Sequence, residues 1–195
     1  MQKVKKILNI TCYYVLPVAL IALSFIASTL TFAQSNEMFG MFGSVAIYLL
    51  VLILFAKPLS QIFHKVKVLK YILAFRRQIG VAIFWLSLFH GVLYIRLYEL
   101  FGWNSFTEPK DNLYLYGLIA LIGMVILGLT SNNFSVKKLG KKWKKLHHIA
   151  YPVLLIAMMH ASIAENHPEN AYIAFAIFLA LKFVAYKKFV YPRKT

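Results

Sequence analysis

Long uninterrupted apolar runs dominate the chain. Six of them, at about 8–33, 38–56, 78–97, 113–130, 146–164 and 171–189, can each supply a helix across a hydrocarbon core of about 30 Å, which takes roughly 20 residues. Strands of a membrane barrel would instead be runs of about ten residues of alternating polarity. The pattern predicts an all-α protein, an integral membrane bundle of six transmembrane helices. Lys182 interrupts the sixth run and has to snorkel or face a polar cavity. No internal repeat, low-complexity tract or linker marks off a second domain, so residues 1–195 are expected to form one.

Charge orients the bundle. All but Arg96 and Lys110 of the 22 basic residues precede the first run, lie between the second and third or the fourth and fifth, or close the chain. The six acidic residues (Glu37, Glu99, Glu108, Asp111, Glu165 and Glu169) fall in or beside the opposite loops. The positive-inside rule then places both termini in the cytoplasm. The basic start and first apolar run also have the outline of a secretory signal. That run is longer than a usual signal core and lacks a small-residue cleavage site, so it is read as a span.

Composition narrows the class. At 61% hydrophobic and 14% charged the chain is too apolar for a soluble domain. A formal charge of +16 often points to nucleic acid, but nucleic-acid binders lack apolar runs of membrane length. The basic loops are instead expected at lipid headgroups, with an acidic partner or phosphate-bearing cofactor as a second use. The single cysteine, Cys12, excludes an internal disulfide framework and a cysteine-only metal cluster.

Ionisable groups inside membrane helices are costly, so function is the default expectation for them. Of six histidines, His167 and His64 sit in loops, and His147 and His148 open the fifth run at its inner edge. His90 and His160 lie deep. At about 1.5 Å per residue, His90 is about 20 Å along its helix from Arg77, and His160 about 22 Å from Lys145. Both helices run outward, so the two imidazoles reach nearly one level. Such a pair can ligate a haem iron from both sides, sheltered by Trp85, Phe89, Tyr94, Met158 and Met159. The alternative is that each histidine only hydrogen-bonds across helices. A second haem between the same helices is excluded, because Arg76 and Arg77 stand at the depth matching His147.

Two blocks carry a resemblance. Arg76-Arg77-Gln78-Ile79-Gly80 with Phe84, His90 and Tyr94 resembles the third helix of the ferric reductase-like transmembrane domain, and within it the MsrQ/YedZ family. The second block is Thr130-Ser131, then Leu139-Gly140-Lys141-Lys142-Trp143-Lys144-Lys145-Leu146-His147, Tyr151 and His160. The likeness runs from about residue 40 to 188. It implies b-type haem, with His90 and His160 at the deep ligand positions and His147 at a third. It places Arg76, Arg77, Lys141 and Trp143 among the cofactor-binding residues. It also implies a multi-pass protein of the bacterial inner membrane. Electrons would come from a cytoplasmic NAD(P)H-flavin reductase, with FMN as a candidate carrier, and pass to a periplasmic molybdopterin enzyme that reduces oxidised methionine in proteins. Two positions depart from the family pattern: Ala161-Ser162-Ile163 where an aromatic usually follows the last histidine, and Glu108-Pro109-Lys110-Asp111 where an Arg-Pro pair is frequent.

The resulting expectation is a transmembrane electron conduit rather than a complete enzyme. A ferric or cupric reductase shares the haem and differs in the acceptor. A haem-free proton-coupled transporter would use the deep histidines as a relay.

Overall fold

The apolar runs form helices, and prolines, one glycine and one asparagine decide where those helices break. The computed structural model describes residues 2–27, 32–100, 111–164, 173 and 176–184. Helices α1 (Gln2–Ile10) and α2 (Leu16–Ala27) join through a π-helical turn, Thr11–Val15, into one rod. Pro17 accounts for the wide turn. It has no N–H to give the Tyr13 carbonyl and its ring would collide with it, so the backbone widens and Leu16 N–H reaches back to the Thr11 carbonyl.

Next come α3 (Phe32–Ile62), α4 (Lys67–Ala74), α5 (Arg76–Leu100), α6 (Asp111–Leu129), α7 (Asn133–Leu139), α8 (Lys141–His147) and α9 (Ala150–Ala164). Residues 176–184 are helical again, and no strand occurs among the described residues. Helix α3 overruns the expected 38–56 at both ends. Lys57 and Pro58 do not stop it, and Pro58 is buried within its last turns.

Four helical stretches are long and apolar enough to cross a membrane: Gln2–Phe25, Glu37–Ile62, Arg76–Ile95 and Lys141–Ala164. A fifth follows if Leu113–Leu129 and Asn133–Leu139, which meet at 90°, count as one broken span. Apart from 173 and 176–184, the expected sixth span lies outside the described residues. The protein is thus a multi-pass membrane protein built of helices.

The bends have local causes. Asn132 Oδ1 accepts from Ser135 N–H at 2.8 Å, which caps α7 as it leaves α6 at the right angle. Gly140 takes φ 50° between α7 and α8, a conformation other residues adopt only at a cost. Pro152 lies in the first turn of α9, where no N–H partner is needed, and His148 and Ile149 form a turn before it. His147 and His160 therefore belong to separate helices rather than to one continuous fifth helix.

Helix α3 packs on α5, α5 on α6, α6 on α9, and α9 back on α3, closing a ring of four. One buried cluster joins them, with Ala46 and Leu50 from α3, Ile83 and Leu86 from α5, Met124 and Leu127 from α6, and Val153 and Leu154 from α9. The first rod lies outside the ring against α5 and lends Leu20 to the cluster. On α6, Leu118, Ile122 and Ile126 repeat at helical spacing and stay exposed, as do Val18, Ile21 and Phe25 on α2. Continuous apolar surface of this kind suits lipid, not water. Lys182 Nζ lies 4.1 Å from the ring centre of Tyr151, a cation on an aromatic face.

Candidate functional site

In the ring of four, α5 and α9 stand on one diagonal, α3 and α6 on the other. Helix α5 carries His90 and α9 carries His160, and their rings lie 6.1 Å apart, centre to centre, at 76°. Each imidazole bonds to a backbone carbonyl of a neighbouring helix. His90 Nδ1 lies 2.8 Å from the Phe39 carbonyl oxygen on α3, and His160 Nδ1 lies 2.8 Å from that of Leu113 on α6. A carbonyl only accepts, so each Nδ1 must carry the proton and donate. In a neutral ring this leaves the lone pair on Nε2.

Glycines make room for these rings. A Cβ at Gly43 would stand 2.7 Å from His90 Cε1, and one at Gly117 would stand 2.8 Å from His160 Cε1. The surroundings are aromatic: Tyr94 lies 4.9 Å from the His90 ring, Phe39 6.1 Å from Tyr94, and Phe42 5.1 Å from Phe89. Of the other residues expected to shelter the site, Trp85, Phe89 and Met158 pack against the main buried cluster.

His147 belongs to a different group, at the end of the bundle that holds the basic loops. Its ring stacks on Trp143 at 3.9 Å and 27°, and its Nε2 lies 3.0 Å from Thr130 Oγ1. The Thr130 hydroxyl gives its one proton to the Ile126 carbonyl at 2.7 Å, so His147 Nε2 is the donor toward Oγ1. His147 thus carries its proton on the nitrogen that His90 and His160 leave bare. Trp143 Nε1 donates to the Thr130 carbonyl at 2.8 Å. Arg77 Nη1 donates to Asn133 Oδ1 at 2.5 Å, Tyr13 OH to the Ser131 carbonyl at 2.5 Å, and buried Gln78 to Asn9 Oδ1 at 2.8 Å. Arg76 and Lys141 are exposed on the same rim, as are His64 and His148. His167 lies outside the described residues.

Of the residues singled out from sequence, His90 and His160 are brought together. Arg77, Trp143 and His147 meet in the second group, with Arg76 and Lys141 beside it. Sequence reasoning missed the carbonyls of Phe39 and Leu113, the glycines Gly43 and Gly117, and Thr130 as the partner of both Trp143 and His147.

This architecture has relatives. The family model described as the ferric reductase like transmembrane component matches residues 42–158, more than half of the chain. The chain belongs to that ferric reductase-like family. Gly43, His90, Gly117 and His147 fall within the family-matched stretch, whereas His160 stands just past its end and the α1–α2 rod precedes it. The chain is similar to the protein-methionine-sulfoxide reductase heme-binding subunit MsrQ of Agrobacterium fabrum. The two are 30% identical over 126 residues, which is 64% of this chain and 56% of MsrQ. It is also similar to the magnetosome protein MamZ of Magnetospirillum gryphiswaldense, 30% identical over 131 residues, 66% of this chain and 19% of MamZ. MamZ of Paramagnetospirillum magneticum matches to the same identity, over 20% of its length. The chain thus spans little over half of MsrQ and about a fifth of either MamZ. No solved structure matches it.

Proposed function

We propose that this member of the ferric reductase-like family is a haem-binding electron-transfer subunit of the membrane. In this reading both termini face the cytoplasm of a bacterial inner membrane, and His90 and His160 are the residues that would hold a b-type haem. The observation that carries it is the facing pair, with each Nδ1 committed to a carbonyl and each Nε2 left with its lone pair.

The residues fit such a group. His90 and His160, 6.1 Å apart centre to centre and each with an uncommitted Nε2, would hold the group. Among the described residues no three His, Cys, Asp or Glu side chains converge on a metal position. A pair of imidazoles alone would suit haem, which needs few ligands from the protein.

Haem, when bound, supplies a one-electron couple. The protein's contribution is to present two neutral nitrogens and to keep water away with Phe39, Phe42, Phe89 and Tyr94. We assign the rim of Arg76, Arg77, Lys141, Trp143 and His147 to the cytoplasmic electron entry, with FMN as carrier and an NAD(P)H-flavin reductase as donor. Exposed Arg76 and Lys141 suit a phosphate in charge. Arg77 and Trp143 are engaged by Asn133 and Thr130, so no step is derived through the flavin. The acceptor in this reading is a periplasmic molybdopterin enzyme; the likeness to MsrQ, a protein-methionine-sulfoxide reductase heme-binding subunit, supports oxidised methionine as what it reduces.

The test is a reduced-minus-oxidised absorbance spectrum of the detergent-purified protein with pyridine haemochrome quantification, beside the His90→Ala/His160→Ala double variant. A b-type spectrum absent from the variant is expected. A colourless wild-type protein from haem-replete cells would refute the reading.

A further inference from the structure

The two imidazole supports are copies of one device. Phe39 stands four residues before Gly43 on α3, and Leu113 four before Gly117 on α6. In a helix the carbonyl of one residue lies beneath the residue four further on, and each Cβ leans toward the helix N-terminus. A side chain at that fourth position therefore covers the carbonyl. Glycine uncovers it, and the second lone pair of the oxygen becomes open to a group from outside the helix.

At both places that group is a histidine ring. A Cβ at Gly43 would stand 2.7, 2.8 and 3.1 Å from Cε1, Nδ1 and Nε2 of His90. One at Gly117 would stand 2.8, 2.9 and 3.3 Å from the same atoms of His160. Both Nδ1–carbonyl distances are 2.8 Å. The match recurs between two helix pairs, α3 with α5 and α6 with α9, whose sequences show no repeat.

We propose that Gly43 and Gly117 are positioning residues for the two imidazoles, each uncovering the carbonyl that holds its histidine in the Nδ1–H form with Nε2 toward the ligand. This rests on the haem reading for its use, but the clamp itself belongs to the protein without haem. A methyl at either glycine must push a ring, not a flexible tail, and the ring cannot yield without leaving its carbonyl. The effect is local, because each glycine touches a different histidine.

The experiment compares Gly43→Ala, Gly117→Ala and a control, Gly80→Ala, whose Cβ meets nothing within 4 Å. Histidine side-chain 15N spectra of the haem-free protein in detergent report the protonated nitrogen. Haemin titration and the electron paramagnetic resonance of the ferric complex report ligation. In the wild type and Gly80→Ala, both deep histidines are expected as Nδ1–H. Gly43→Ala should lose that signal for His90 and keep it for His160, and Gly117→Ala the reverse. The retained signal shows that each variant is folded. Haemin affinity should fall about 10- to 100-fold in either variant, the range for losing a group that orients a metal ligand. The low-spin signal of two-imidazole ligation should weaken, while Gly80→Ala leaves both unchanged. Nitrogen spectra unaltered in the two variants would overturn the clamp even if the wild type binds haem. Altered spectra in a protein that binds no haemin would uphold the clamp and refute the haem reading on its own.

Discussion

Thr130→Val should lower the melting temperature by about 2–4 °C, and the whole of that loss should vanish when His147 is also replaced. Valine keeps the shape of threonine and removes only the oxygen that accepts His147 Nε2–H at 3.0 Å. The Ile126 carbonyl, which loses the hydroxyl donor, keeps the Thr130 N–H at 3.2 Å and is not stranded. Trp143 bonds the backbone oxygen of Thr130 and is untouched. What remains is one half-buried imidazole N–H that has lost its side-chain acceptor and keeps only the backbone carbonyl of residue 130, which costs about 1 kcal/mol, the lower end for a group only partly withdrawn from water. About 1 kcal/mol corresponds to roughly 2–4 °C for a chain of this size. The assay is thermal unfolding of the detergent-purified protein for the wild type, Thr130→Val, His147→Phe and the double variant. Phenylalanine keeps a ring against Trp143 and removes the donor, so in its background the threonine hydroxyl has nothing left to accept. A coupling of about 1 kcal/mol is expected. If Thr130→Val is as costly in the His147→Phe background as it is beside the native histidine, the Thr130–His147 hydrogen bond contributes nothing to stability and the reasoning is refuted.

Further outcomes follow from the same structure. Asn132→Ala removes the side-chain acceptor of Ser135 N–H at the start of α7 and should cost about 1 kcal/mol in the same melting assay, whereas Asn132→Asp, which keeps that acceptor and loses only the Nδ2 donor to the Leu129 carbonyl at the exposed surface, should cost less. Tyr151→Phe should leave stability unchanged, because Lys182 Nζ sits over the ring and not at the hydroxyl. Tyr151→Leu should lose about 0.5–2 kcal/mol in unfolding free energy beyond its lost ring contacts with Phe178 and His148, and Lys182→Met should abolish that cation-dependent part. A penalty for Tyr151→Phe equal to that for Tyr151→Leu would refute the cation–ring contact.

The parts of this fold that were legible in the sequence are those governed by bulk solvation. Runs of apolar residues long enough for the bilayer become α3, α5, α6 and α9, and a rise of about 1.5 Å per residue suffices to set His90 and His160 level. Where the reading fell short, a local interaction decided. Lys57 and Pro58 look like a helix end, yet α3 runs on to Ile62, because a single proline removes one hydrogen bond and a lysine at the basic rim needs no burial. Pro152 did warn of a break between His147 and His160. It falls in the first turn of α9, where its missing N–H is harmless, and the turn itself is at His148 and Ile149.

The supports of the histidines were hidden for a deeper reason. Their acceptors are backbone carbonyls, which every residue possesses, so no residue type announces Phe39 or Leu113. What distinguishes those two carbonyls from their neighbours is access, and access is written as the absence of a side chain one turn later. Nine glycines occur in the chain, and nothing about Gly43 or Gly117 alone sets them apart from Gly80, beside which a Cβ would meet open space. Only the pairing of each glycine with a deep histidine on the adjacent helix gives the position meaning, and that pairing exists in three dimensions. A histidine in a membrane helix therefore announces that a site exists, and the glycine facing it determines which nitrogen the site presents.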